Sequence, residues 1–278
     1  MASNPRVSVL MPLYAADPVY LRSAMESLLC QTLEDFELLI VEDPSPRTAE
    51  QVLGRYTDPR IRYVLNTRRG SLVKQLNQGL EAARAELVAR FDGDDVCAPV
   101  RLQRQLEYLQ QHADVAVLGS QITIIDQHGR QRGRRQYPLT HEAILRSLPR
   151  FNPLAHPSVM YRKGPILDAG GYTFPETEDY ELWSRLARRG SRFANHPESL
   201  LQYRIHPAAV KATRLRQILR ATLEVKRLYW QDRMDTLGRA RMLVERLMLR
   251  LPPQLVARLF AATHFRSAQS SSTQEHDG

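Results

Sequence analysis

Leu87-Val88-Ala89-Arg90-Phe91-Asp92-Gly93-Asp94-Asp95 is a short apolar run that ends in three carboxylates within four positions. Like charges a few ångström apart repel, and burial raises their cost. Such a strand tip is either a solvated acidic turn that caps the next helix or a place where a cation is met. Asp-x-Asp-Asp alone does not separate the two; the flanking sequence does.

Upstream, Val7 to Pro12 reads as a strand, and Leu21, Ala24, Met25, Leu28 and Leu29 follow at helical spacing. Phe36 to Val41 is a second apolar run, Thr48 to Tyr56 a helix, Ile61 to Leu65 a third strand. Leu72, Leu76, Leu80 and Ala83 mark the helix before the quoted stretch. Short strands alternating with helices predict an α/β fold: a Rossmann-like, mostly parallel sheet with helices on both faces. Ligands of such sheets sit outside the carboxyl ends of the strands. Pro12, Asp43 and Asp92 each close a strand at that edge, so one crevice is expected to gather them.

In the second half, Asn152 to Ser158 reads as a loop entering the strand Val159-Met160-Tyr161. Gly170-Gly171-Tyr172 is a turn that would let backbone approach a ligand. Glu178-Asp179 opens a helix whose Leu182, Trp183, Leu186 and Ala187 form its buried face. Carboxylates suit a first helical turn through the dipole alone, so the spacing leaves Asp179 open between capping charge and chemistry.

Five motifs in order resemble those of family 2 glycosyltransferases: Val9-Leu10-Met11-Pro12-Leu13-Tyr14, Ile40-Val41-Glu42-Asp43-Pro44-Ser45, Leu76-Asn77-Gln78-Gly79, Ala89 to Asp95, and Glu178-Asp179-Tyr180-Glu181-Leu182-Trp183. The resemblance runs over roughly residues 6 to 207. Ala15 departs from it, standing where an Asn usually follows the Tyr. The resemblance implies an inverting, nucleotide-sugar-dependent enzyme of the A-type glycosyltransferase fold. It implies Asp179 as the catalytic base, and Pro12, Tyr14, Glu42, Asp43, Asp92 and Asp94 as the nucleotide-sugar site. Asp94 would hold Mn²⁺ or Mg²⁺, which favour oxygen ligands and neutralise a leaving diphosphate, with His206 completing the metal site. Asp95 is expected only to cap the helix that Pro99 opens. His156, Tyr172, Glu178 and Trp183 are expected around the acceptor or donor pocket.

The implied function is transfer of a sugar, from a UDP-sugar by expectation, to a hydroxyl of a glycan or lipid-linked acceptor in bacterial-type surface polysaccharide synthesis. A sugar nucleotidyltransferase is the alternative enzyme, but no glycine-rich phosphate loop follows the first strand. A non-catalytic nucleotide-sugar-binding protein of the same fold is the alternative outside catalysis.

With 278 residues, 43% of them hydrophobic, the chain can build a large core. Two cysteines make no disulfide framework, and neither a signal peptide nor a run of about 20 apolar residues is present, so a cytoplasmic protein is expected. The net charge of +9 lies wholly between Val210 and Arg266, where 13 basic residues face 4 acidic ones. The organisation read from this is a catalytic domain over 1–207, a basic amphipathic helical extension over 208–266, with a short helix around Leu255 to Ala262, and a disordered tail over 267–278. The basic helices present a solvated face or meet an anionic membrane surface at the inner face of the cell membrane. Nucleic acid is not expected, because no recognition module accompanies the charge. Tyr229 and Trp230 are read as core residues, with interfacial anchoring as the other use.

Overall fold

The computed structural model describes residues 4–205 and 212–251. In chain order the elements are β1 (Val7–Leu13), α1 (Pro18–Leu29), β2 (Phe36–Glu42), α2 (Glu50–Leu53), β3 (Ile61–Leu65), α3 (Leu72–Ala82), β4 (Leu87–Arg90), β5 (Val96–Cys97), α4 (Arg101–Gln111), β6 (Val115–Ile125), β7 (Gln131–Arg135), α5 (His141–Ser147), β8 (Met160–Arg162), α6 (Lys163–Asp168), α7 (Glu178–Arg188), β9 (Arg192–Arg204), α8 (Ala212–Trp230) and α9 (Thr236–Met248). The helix expected over Thr48 to Tyr56 shrinks to the single turn of α2.

One nine-stranded sheet runs β3-β2-β1-β4-β8-β6-β9-β5, with β7 paired to β6. β1 to β4 are mutually parallel, with Leu10 opposite Leu39 on one side and Arg90 on the other. The parallel expectation therefore holds through Arg90. Beyond it the sheet is mixed: β8 is antiparallel to β4 and β6, whereas β6 and β9 are parallel.

Strand periodicity of two divides the core between the sheet faces. Val7, Val9, Met11 and Leu13 of β1 pack with Leu21, Ala24, Met25 and Leu28 of α1 and with Leu102, Leu106 and Leu109 of α4. Leu10, Leu39, Val41 and Val88 point the other way, onto Leu76 and Leu80 of α3, in a cluster that also contains Tyr161, Trp183, Val225 and Trp230. The carboxyl ends of β1, β2 and β4 meet at one edge, and the site is built there.

Asp95 does not cap the following helix: α4 starts at Arg101 after Val100, which makes no side-chain cap. The glycine turn lets backbone approach protein closely. Gly171 has φ +68°, and a Cβ there would lie 2.5 Å from Asn77 Oδ1. Asn77 uses its amide to bind both Tyr172 N and Tyr172 O, at 2.8 Å each. Tyr229 and Trp230 pack inward, Tyr229 Oη donating to Glu181 (2.6 Å) and Trp230 Nε1 to Ser184 Oγ (2.9 Å). The expected helix near Leu255, the tail and His206 all lie outside the described residues.

Candidate active site

The acidic tip follows β4 directly. Ligand oxygens of Asp92, Asp94 and Asp95 all lie within 4.8 Å of one another. Gly93 allows this close turn, because a Cβ there would come within 2.4 Å of Leu13 Cδ2. Asp95 is buried; one carboxylate oxygen accepts from Arg204 N (2.9 Å), and Oδ2 has no hydrogen-bond partner among the described residues. Burial, then the neighbouring charges of Asp92 and Asp94, push its carboxyl well above the ordinary carboxylate range. Three crowded carboxylates, one with an orphaned buried oxygen, form an all-oxygen donor set suited to a hard divalent cation. Arg204 ties this loop to the end of β9, donating from Nε to Asp94 O (2.7 Å) and from Nη1 to Asp126 O (3.1 Å).

Arg90 sits beneath the tip. A buried guanidinium at the end of an apolar strand requires a counter-ion, and Asp92 Oδ2 lies 2.5 Å from its Nη1. Burial works against the charged form, yet the field of Asp92, reinforced by Glu178 and Asp95, leaves the guanidinium above its ordinary value. Its charge therefore reaches both the acidic tip and the start of α7.

At the tips of β1 and β2 the arrangement is mixed. Asp43 is buried and accepts from Asn66 Nδ2 (2.9 Å) and Gly70 N (2.8 Å), which fixes the loop before α3. Pro12 is buried in β1, and Tyr14 just beyond is 44% exposed, with the Arg69 guanidinium 4.2 Å over its ring. Ala15 next to it has φ +50°, a region that costs an L-residue about 1–2 kcal/mol and that Asn tolerates better. Glu42, expected beside Asp43 at the nucleoside, points elsewhere. It is fully buried, accepts from Ala49 N at 3.0 Å and from Tyr63 Oη at 2.5 Å, and so secures α2 and β3.

The start of α7 supplies the second wall. Asp179 Oδ2 accepts from Asn152 Nδ2 (2.6 Å) and Oδ1 from Tyr180 N (2.7 Å). Burial raises the Asp179 carboxyl above its usual value, and Glu178 adds to this. His156 is buried between Tyr172 Oη (3.2 Å from Nε2) and Glu178 Oε1 (3.4 Å from Nδ1), with its ring edge-on to Trp183. Burial first, then the charge of Arg90, lowers its pKa to about 3, so the imidazole is neutral and the Glu178 contact is polar, not ionic. Asp179 and Asp92 both act on His156 electrostatically, so the α7 carboxylate and the acidic tip are within electrostatic reach of one imidazole. Trp183 is fully buried in the core and makes no hydrogen bond through Nε1 among the described residues; Tyr172 is buried with its hydroxyl 3.5 Å from Tyr161 Oη.

A family model described as "Glycosyl transferase family 2" matches residues 8–168, which carry the strand tips and the acidic turn. The chain belongs to glycosyl transferase family 2. This family 2 glycosyltransferase is 34% identical over 226 residues to the amylovoran biosynthesis glycosyltransferase AmsE of Erwinia amylovora, covering 80% of this chain and 84% of that protein. It is 35% identical over 217 residues to the O-antigen biosynthesis glycosyltransferase WbnJ of Escherichia coli, covering 75% and 83%. Among solved structures it resembles S. aureus TarS 1-349 in complex with UDP-GlcNAc, with a TM-score of 0.62 at 20% identity, covering 79% of this chain and 66% of that one. The likeness establishes the A-type glycosyltransferase fold.

Three polar residues of the site are not singled out by the sequence: Arg90, Asn152 and Arg204. Only Arg90 carries a local signal, a charge within an apolar strand immediately before three carboxylates. Asn152 and Arg204 meet their partners 27 and about 110 positions away, through tertiary contacts that no spacing encodes.

Proposed function

We propose that this glycosyltransferase moves a sugar, with inversion, from a UDP-sugar to a hydroxyl of a growing or lipid-linked glycan in polysaccharide synthesis. The observation that carries this is the juxtaposition of the acidic tip with Asp179, a raised carboxylate held by Asn152. The names of AmsE and WbnJ support a polysaccharide or O-antigen product, and UDP-GlcNAc bound by TarS supports a UDP-sugar.

Asp94, with Asp92 and the buried Asp95 behind it, would hold Mg²⁺ or Mn²⁺; His206 is the proposed further ligand. Such a cation supplies charge neutralisation for a leaving diphosphate. Pro12, Tyr14 and Asp43 bind the nucleoside, while Glu42 supports them by holding β2 to α2 and β3. Asp179 removes the acceptor hydroxyl proton as that oxygen forms its bond to the anomeric carbon. The bond from that carbon to the diphosphate oxygen breaks on the opposite face, releasing UDP. His156, Tyr172 and Glu178 shape the wall beside Asp179, and Trp183 packs behind it.

Nuclear magnetic resonance of the product formed from a panel of nucleotide sugars tests this reading. A UDP-sugar is expected to react with inversion at its anomeric carbon, chelation to abolish transfer, and Mn²⁺ or Mg²⁺ to restore it in wild type but not in Asp94→Asn. Retention of configuration, or full activity in chelator, would contradict it.

A further inference from the structure

Helix α9 packs with its polar side inward. Asp235 caps its start and pairs with Arg150; Glu245 takes two hydrogen bonds from the buried Lys226 ammonium (2.8 and 2.7 Å); Arg241 pairs with Glu245 (3.1 Å). The buried Gly238 and the half-buried Met242 lie on the same side. Leu237, Leu243, Val244 and Leu247 are left 63%, 58%, 56% and 50% exposed. With Ala240 they follow the i, i+3, i+4, i+7 spacing of one helical stripe. Arg239 and Arg246 occupy the row beside it and Arg250 lies just past its end, all three exposed and without an ion pair among the described residues. No helix of the described residues is long and apolar enough to cross a membrane.

We infer that the outer face of α9 is a docking surface for an anionic lipid bilayer, its leucines entering the headgroup boundary and its arginines meeting acidic headgroups. An apolar stripe flanked by cations is the pattern of a helix lying in the interfacial plane. Charge selects this occupant. A second copy docked by two-fold symmetry would bring the arginine rows together, and a nucleic acid would leave the leucines unused. The lipid-linked acceptor of the proposed function gives the surface its purpose, while lipid binding is measured independently of transfer.

Co-sedimentation of the full chain with vesicles of phosphatidylcholine alone, or mixed equally with phosphatidylglycerol, tests it. Wild type is expected to bind only the anionic vesicles. Arg239→Gln/Arg246→Gln/Arg250→Gln is expected to weaken binding about 100-fold, at roughly tenfold or less per basic residue. Leu243→Gln/Leu247→Gln is expected to abolish it, with thermal unfolding unchanged because both side chains are exposed. Leu243→Trp in the otherwise intact chain is expected to shift its fluorescence to the blue on anionic vesicles. Wild type that ignores both vesicles, a leucine variant that binds undiminished, or an unshifted tryptophan would each overturn the inference. Loss of sugar transfer with binding intact would contradict the proposed function and leave this surface standing.

Discussion

Asn152 and Asp179 show how single side chains set the chemistry of the site. A carboxylate raised by burial is a better proton acceptor than an exposed one, provided it remains ionised at working pH. Asn152 favours the ionised form by donating to it at 2.6 Å. Removing that donor in Asn152→Ala raises the Asp179 pKa further, so the acid limb of the pH–rate profile is expected to move to higher pH. A hydrogen bond to a charged group contributes about 1.5–3 kcal/mol, which corresponds to a movement of that limb by about one to two pH units. A profile identical to wild type would show that Asn152 does not orient the base. Asp179 itself was legible as a motif position; its partner was not, because a loop asparagine has no periodicity to betray its contact.

At the level of elements, legibility followed hydrophobic pattern. β1 to β4 were readable because each is a compact apolar run between helices with clear stripes. β7 was not, since Gln131-Arg132-Gly133-Arg134-Arg135 has no apolar alternation and forms by pairing with β6 next to a turn in which Asp126 binds Arg132. In α9 the apolar residues mark a helix, and the structure turns Leu237, Leu243, Val244 and Leu247 outward while anchoring the polar side through Lys226 and Glu245. The Gly170-Gly171 turn is legible in the sequence, whereas its contact with Asn77 is not. Because Gly171 is left-handed and abuts Asn77, Gly171→Ala is expected to cost about 1–2 kcal/mol in backbone strain, and more if the Asn77 contacts part. Thermal unfolding should fall by several degrees, at roughly 2–4 °C per kcal/mol. An unchanged melting temperature would mean that Asn77 does not hold this turn.

The whole molecule joins two halves of the sheet at β4 and β8, and the charge of Arg90 lies close to that seam. The parallel half supplies the strand tips and the acidic turn; the mixed half supplies Asn152, His156 and the start of α7. Their junction buries a neutral histidine, and this links stability to pH. His156 binds a proton near its ordinary pKa of 6.5 when unfolded but only near about 3 when folded. Between those values the unfolded chain holds the extra proton, so stability falls as pH falls through the window. The loss is at most about 1.4 kcal/mol per pH unit. His156→Gln is expected to lack this component, giving a shallower fall in denaturant midpoint from pH 6.5 downward; parallel curves would contradict a neutral buried imidazole.

The central claim is that Asp179 is the base. Asp179→Asn keeps the size of the side chain and can still meet Tyr180 N, but cannot take a proton. Transfer rate and calorimetric UDP-sugar binding, measured side by side on this variant, test the claim most directly. A fall in kcat of about 10²- to 10⁴-fold with donor affinity nearly unchanged is the result expected of a general base. Wild-type turnover, or loss of donor binding in place of turnover, would contradict it.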